Sequence, residues 1–161
     1  MLRRSDVMDY DELRITIEAG PTGPPKVSME YVSDGRSEAV EYFLDFDFRR
    51  DKELIWQTRA IVAPSRLVRS VSGGAIDRVE RMGRELFGRL FGNEGQIFFM
   101  RAREEALARQ RGLRLRLDTS NPTVALVPWE FLHDGRDFIN LSSSSPLVRR
   151  NTLGYQRGNE A

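Results

Sequence analysis

Leu113-Arg114-Leu115-Arg116-Leu117 alternates apolar and charged residues without a break. Successive side chains of an extended chain point to opposite faces, so this stretch reads as a strand with one leucine face and one arginine face. Its neighbours follow a different period, and that contrast sets the fold class. Upstream, Ile76, Val79, Met82, Leu86, Phe87 and Leu90 recur at steps of three and four, the mark of an amphipathic helix. Ser72 is placed to cap it and Gly92-Asn93 to stop it. A second helix is expected from about Gly95 to Gln110, burying Ile97, Phe98, Ala102 and Leu107, and Gly112 breaks it. The two make a helical hairpin over residues 75–111.

Downstream of the leucine–arginine strand, Asp118-Thr119-Ser120-Asn121-Pro122 is a turn cluster. An apolar run, Val124 to Leu132, surrounds Pro128-Trp129-Glu130, and His133-Asp134-Gly135-Arg136 forms a tight turn. Phe138-Ile139-Asn140-Leu141 and Pro146-Leu147-Val148-Arg149-Arg150 read as two further short strands. Before the helices, Leu13 to Glu18 alternates, Gly20 to Pro25 must be a loop, and Val27 to Val32 alternates again. Asp34-Gly35 marks a turn, and Val40, Tyr42, Leu44, Phe46 and Phe48 share one face of a third strand. Residues 1–12 read as a frayed lead-in, and Lys52 to Arg59 as a short helix ended before Pro64. The fold class is therefore α+β: a small antiparallel β-sheet, then a helical hairpin, then further short strands. It divides into a β-rich N-terminal module (1–64), a hairpin-plus-strands segment (65–150) and a flexible tail (151–161).

The chain has 161 residues, no cysteine and one histidine, His133. Disulfides, thiolate nucleophiles and cysteine-based metal sites are thereby excluded. Basic and acidic residues number 25 and 24, for a net charge of +1, and only Lys26 and Lys52 are lysine, so 23 are arginine. Arginine binds carboxylate or phosphate through a planar fork, which keeps nucleic acid open as a partner. The acids are interleaved, however, and a GC-rich genome encodes arginine in place of lysine. No stretch reaches the ~20 apolar residues of a membrane span, and the expected location is the cytoplasm.

Asp45 and Asp47 share a strand face, but no third ligand is placed beside them, so a solvated edge explains them better than a metal. No cofactor is expected. His133 and Asp134 are adjacent, and their side chains should diverge instead of forming a base with its orienting acid. Ser142 to Ser145 has no activating base, and Ser72-Gly73-Gly74 lacks the remainder of a phosphate loop. Trp129 anchors a core or an interface, with Glu130 half-buried beside it and Arg114 or Arg116 as its counter-charge. A carboxylate-only hydrolase would need Asp45, Asp47 and Glu130 to converge in one pocket.

The order of motifs from about residue 82 to 150 resembles the N-terminal part of the CHAT domain, a bacterial caspase-like domain often fused to tetratricopeptide repeats. The resemblance rests on Met82-Gly83-Arg84-Glu85-Leu86-Phe87, Leu90-Phe91-Gly92, the second helix and Leu113 to Asp118. It continues through Val127-Pro128-Trp129-Glu130-Phe131-Leu132-His133-Asp134, Phe138 to Ser142 and Pro146 to Arg150. It implies a non-catalytic module that contacts a caspase-like catalytic region or a tetratricopeptide-repeat protein, in bacterial defence or stress response. The family's His–Cys dyad lies on later strands, and His133 stands where the family commonly has an aromatic residue, so no catalytic residue carries over. The residues of interest are then Pro128, Trp129 and Glu130 with Arg114 and Arg116 beside them. If a partner strand is missing, the Leu113–Leu117 or the Leu147–Arg150 strand should present an unpaired edge.

Overall fold

The computed structural model describes residues 8–18, 23–44, 53 and 73–151. Strands β1 (Tyr10–Glu18), β2 (Lys26–Ser33) and β3 (Arg36–Phe43) are followed by α1 (Gly73–Ala108), β4 (Gly112–Thr119), α2 (Pro122–Ala125), the 3-10 turns η1 (Trp129–Phe131) and η2 (Ile139–Leu141), and β5 (Leu147–Asn151). The α+β class holds. The sheet is mixed, not purely antiparallel: its order is β3-β2-β1-β4-β5. β1 pairs antiparallel with β2 and β2 with β3, whereas β1–β4 and β4–β5 are parallel. Alternation predicts a strand but carries no direction, which comes from the connections. Seven residues separate β1 from β2, whereas β4 follows β1 only after β2, β3 and α1.

The leucine–arginine strand lies inside this sheet. Leu13 is level with Leu115 and Ile15 with Leu117; on β2, Met29 continues the Ile15 row and Val27 stands beside Ile17 in the next. All seven are fully buried or within 1% of it. Strands from both ends of the chain thus share one apolar face. The strand expected from Val40 to Phe48 begins earlier, at Arg36. Its Val40 and Tyr42 pack on the core and Leu44 is buried, while Phe46, Phe48, Asp45 and Asp47 lie outside the described residues. So do Ser72, residues 152–161 and, but for Glu53, the helix expected over 52–59.

The helical hairpin forms within α1. Gly92, at φ 52° and ψ −159°, interrupts the helix, in a region that glycine enters without the Cβ penalty. The two arms fold against each other. Phe87 and Phe99 are twelve residues apart, about 18 Å along a straight helix, yet their ring centroids are 5.7 Å apart, with Phe91 stacked on both. Tyr42 of β3 donates its hydroxyl to the Leu90 carbonyl at 2.8 Å, beside the break. Burial holds the Tyr42 hydroxyl well above the usual tyrosine pKa, with the Glu94 charge adding to it. On the second arm the buried stripe is Phe98, Phe99, Ala102 and Ala106. Ile97 and Leu107, expected inside, are 72% and 52% exposed, because the fold at Gly92 turns the arm so that the 98/99–102–106 stripe meets the sheet. Ile76 is likewise exposed.

Phe138 to Leu141 is not a strand. Phe138 makes one isolated bridge to His133, and Ile139 to Leu141 then wind into a 3-10 turn. Two apolar residues in sequence suit either conformation, and the Asp134-to-Asp137 turn decides between them. Of the lead-in expected over residues 1–12, the last three belong to β1, which starts at Tyr10, and Asp11 is buried; residues 1–7 lie outside the described residues.

Candidate functional site

The segment from Asn121 to Pro146 crosses from β4 to β5 and carries Pro128, Trp129 and Glu130. Asn121 starts it as the cap of α2, accepting from the amides of Thr123 and Val124. Trp129 is fully buried, and its indole Nε1 donates to the Val124 carbonyl at 3.0 Å, so the ring's one polar atom is satisfied inside the core. Pro128 precedes η1 and is half-buried. The turn sits against the first arm of α1, where the His133 amide donates to the Gly83 carbonyl at 3.1 Å. A Cβ at position 83 would overlap the Phe131 carbonyl oxygen; the helix and the turn meet backbone to backbone.

Glu130 is exposed rather than half-buried, and its partner is Arg149 of β5, at 2.8 Å, not Arg114 or Arg116. Strand alternation is the reason. Leu113, Leu115 and Leu117 take the core face of β4, so Arg114 and Arg116 take the opposite face. Arg149 is level with Leu117 and therefore projects to the Trp129 side. It donates to the Ala125 carbonyl at 3.2 Å, to the Val127 carbonyl and to Glu130 Oε2 at 2.9 Å. One guanidinium thus ties the edge strand to two carbonyls on the approach to the tryptophan turn. Burial lowers its pKa, and the Glu130 charge offsets that only in part. The structure brings together Pro128, Trp129 and Glu130, adds Arg149, and leaves Arg114 and Arg116 elsewhere. The signal for Arg149 was present in Leu147-Val148-Arg149-Arg150: if Leu147 faces the core, so does the residue two further on.

The opposite sheet face is polar. Arg114 lies over the Tyr10 ring at 4.9 Å. Arg116 stands between Asp118 at 3.2 Å and Glu12 at 3.8 Å, and Arg14 contacts Glu12 and Glu30. Thr16, Glu18, Lys26, Ser28 and Glu41 line a shallow depression there.

His133 and Asp134 diverge. His133 is buried, edge-on to Phe138 at 4.9 Å, and its Nε2 is 3.5 Å from Glu80. Asp134 turns to Arg103 of the second arm at 2.6 Å. Burial works to raise the Asp134 carboxyl, but the Asp137 and Arg136 amides and the Arg103 guanidinium outweigh it and hold the pKa below the usual value. Glu80 and Arg103 belong to different arms of α1, so this turn staples the hairpin.

A second charged cluster had no forerunner in the sequence. The Asp11 side chain is completely buried. It accepts from the Tyr31 hydroxyl at 2.8 Å and faces Arg111 at 2.9 Å and Arg109 at 3.4 Å. Both arginines also reach Asp34. Burial, then the hydrogen bond to Asp11, pushes the Tyr31 hydroxyl up to about 12. The cluster locks the end of α1 onto the sheet.

Among the described residues no three acids or histidines converge as a metal site would require, and no helix is long and apolar enough to cross a membrane. β4 is paired on both sides, whereas β5 has a neighbour only on the β4 side. Of the two strands named above for a missing partner, it is therefore Leu147–Asn151 that offers an open edge among the described residues. No protein-family model matches the chain, and no curated protein matches it either.

Proposed function

We propose that this chain is a non-catalytic module of a CHAT-type, caspase-like peptidase system, acting through protein–protein contacts in the cytoplasm. Its partner would be the peptidase core or a tetratricopeptide-repeat protein, in bacterial defence or stress response. The motif order from Met82 to Arg150 supports the family reading. The outer edge of β5 carries the interaction reading. β1, β4 and β5 form a parallel half-sheet, and the unpaired backbone groups of its last strand are a template for pairing with another chain. Trp129 and Arg149 brace that edge from behind, which suits a residue pair that positions a contact surface. The arginines favour protein over nucleic acid as the partner. Most described ones contact a carboxylate, on the sheet (Arg14, Arg116), along α1 (Arg84, Arg89) and at its junctions (Arg103, Arg109).

The test is co-expression with a CHAT-type catalytic region that carries the His–Cys pair. The expected result is a stoichiometric complex by size exclusion with light scattering. Absence of a complex at micromolar concentrations overturns the reading. A gel shift at low salt that falls steeply as salt rises would replace it with nucleic-acid binding.

A further inference from the structure

The backbone of β5 has a defined set of unused groups. The Leu115 amide donates to the Pro146 carbonyl at 2.9 Å, and Leu115 is level with Leu147. In a parallel ladder this register directs the N–H and C=O of Val148 and Arg150 towards β4, and those of Leu147 and Arg149 outward. The outward Leu147 amide is covered by Asn140 Oδ1 at 3.4 Å. The Leu147 carbonyl and both backbone groups of Arg149 have no such cover among the described residues. The side chains that flank them on the polar sheet face are Val148, 47% exposed, and Arg150, exposed. Arg150 is level with Asp118, but Asp118 is engaged by Arg116. Among the described residues Arg150 contacts no carboxylate.

We propose that β5 takes up an extended peptide segment as a sixth strand, with an aliphatic residue against Val148 and a carboxylate two positions away against Arg150. The backbone of Arg149 supplies the hydrogen bonds and the period-two spacing supplies the specificity. Charge selects this occupant over a second copy of the chain. Two-fold pairing of β5 with itself would bring the Arg150 of each strand, which has no carboxylate among the described residues, to one face of one seam, and like charges across a strand pair are unfavourable. The inference rests on the protein-contact reading and names the chemistry of the partner at that edge.

The probe is a short fluorescein-labelled peptide in which Val-Thr-Glu-Thr-Val sits between threonines, so that a valine stands two positions from the glutamate in either strand direction. Fluorescence anisotropy against the full chain should show saturable binding. It should weaken roughly fivefold for Arg150→Glu, and a peptide with lysine in place of glutamate should recover it on that variant. Methylating the peptide amides that face Arg149 should abolish binding while leaving the protein untouched. Equal affinity for the glutamate and lysine peptides overturns the proposal. So does a slowly exchanging Arg149 amide in the free chain, which would mean that the edge is already covered. Preference for an oligonucleotide, or self-association that Arg150→Glu strengthens, also overturns it. Failure of the peptides alongside a stable complex with the catalytic region removes this inference alone. Peptide binding without that complex removes the CHAT-type reading and leaves the edge chemistry standing.

Discussion

The two faces of the sheet are built from the same alternating strands and hold the protein together in different ways. On the face under α1, rows such as Met29–Ile15–Leu117 and Val27–Ile17 are apolar and dry. On the other, the corresponding rows read Glu30–Arg14–Arg116 and Ser28–Thr16–Asp118. One set gains from removal of surface from water. The other exchanges charge within reach of solvent, where each pair contributes little. Arginine content is therefore not itself a sign of function here. Arginines at the seams, such as Arg109, Arg111 and Arg149, close the core, while Arg14 and Arg116 on the open face trade contacts with neighbouring carboxylates. Removing one group at a time tells which face it belongs to.

Trp129→Ala should have the largest effect. It removes a fully buried ring and its hydrogen bond to Val124, and the loss is expected at about 4 kcal/mol. Chemical denaturation checks this. A loss no larger than that of a surface substitution would mean that the turn is not part of the core, and the brace behind β5 would fall with it.

Asp11→Ala comes next. A carboxylate lost from a buried pair costs about 3–5 kcal/mol, but Arg109 and Arg111 are 32% and 27% exposed and keep Asp34. The expected loss is nearer 2 kcal/mol, since water and Asp34 take over part of the charge. A neutral outcome would place the Asp11 cluster with the open face.

The sequence made some of this legible and hid the rest for definite reasons. Leu113 to Leu117 and Leu13 to Glu18 announce their strands because period two is local. Gly92-Asn93 announces the break in α1 because glycine is a local permission. The pairing of β1 with β4, some hundred positions apart, has no local trace. Asp11 was lost in a polar lead-in because its burial depends on Tyr31 and on the Arg109–Arg111 pair, which come from two distant places in the chain. Glu130 was matched to the wrong arginine for a simpler reason. The alternation that marks Arg114 and Arg116 as strand residues also turns them away from the tryptophan turn, and it could have been applied to Arg149.

Tyr31→Phe sharpens the comparison by pH. It removes the hydroxyl that joins Asp11 to Arg109, at about 1 kcal/mol near neutrality. Tyr31 is raised from 10.0 to about 12 in the folded chain. The folded state therefore holds the proton more tightly than the unfolded one. Its contribution is complete below pH 10 and is lost as pH rises from there through 12. Tyr42 is raised too, so the readout is the difference between the parent and the variant. The gap between them should shrink over that window. A gap that stays constant would mean that Tyr31 titrates as it does in water.

Arg116→Ala should have the smallest effect. Arg116 contacts Asp118 and Glu12, and the three side chains keep 21–27% of their surface in water, so pairs of this kind are worth about 1 kcal/mol. Removing it also frees Asp118, whose carboxylate is level with Arg150, so Arg150 can replace the lost cation and bring the net loss close to zero. Raising the salt concentration should erase what remains, because the screening length falls to about 3 Å at 1 M. A salt-insensitive loss of about 2 kcal/mol or more would break the comparison, since only a pair shut away from water behaves so. The polar face would then be a covered one, and Arg150 would no longer be available to a partner strand.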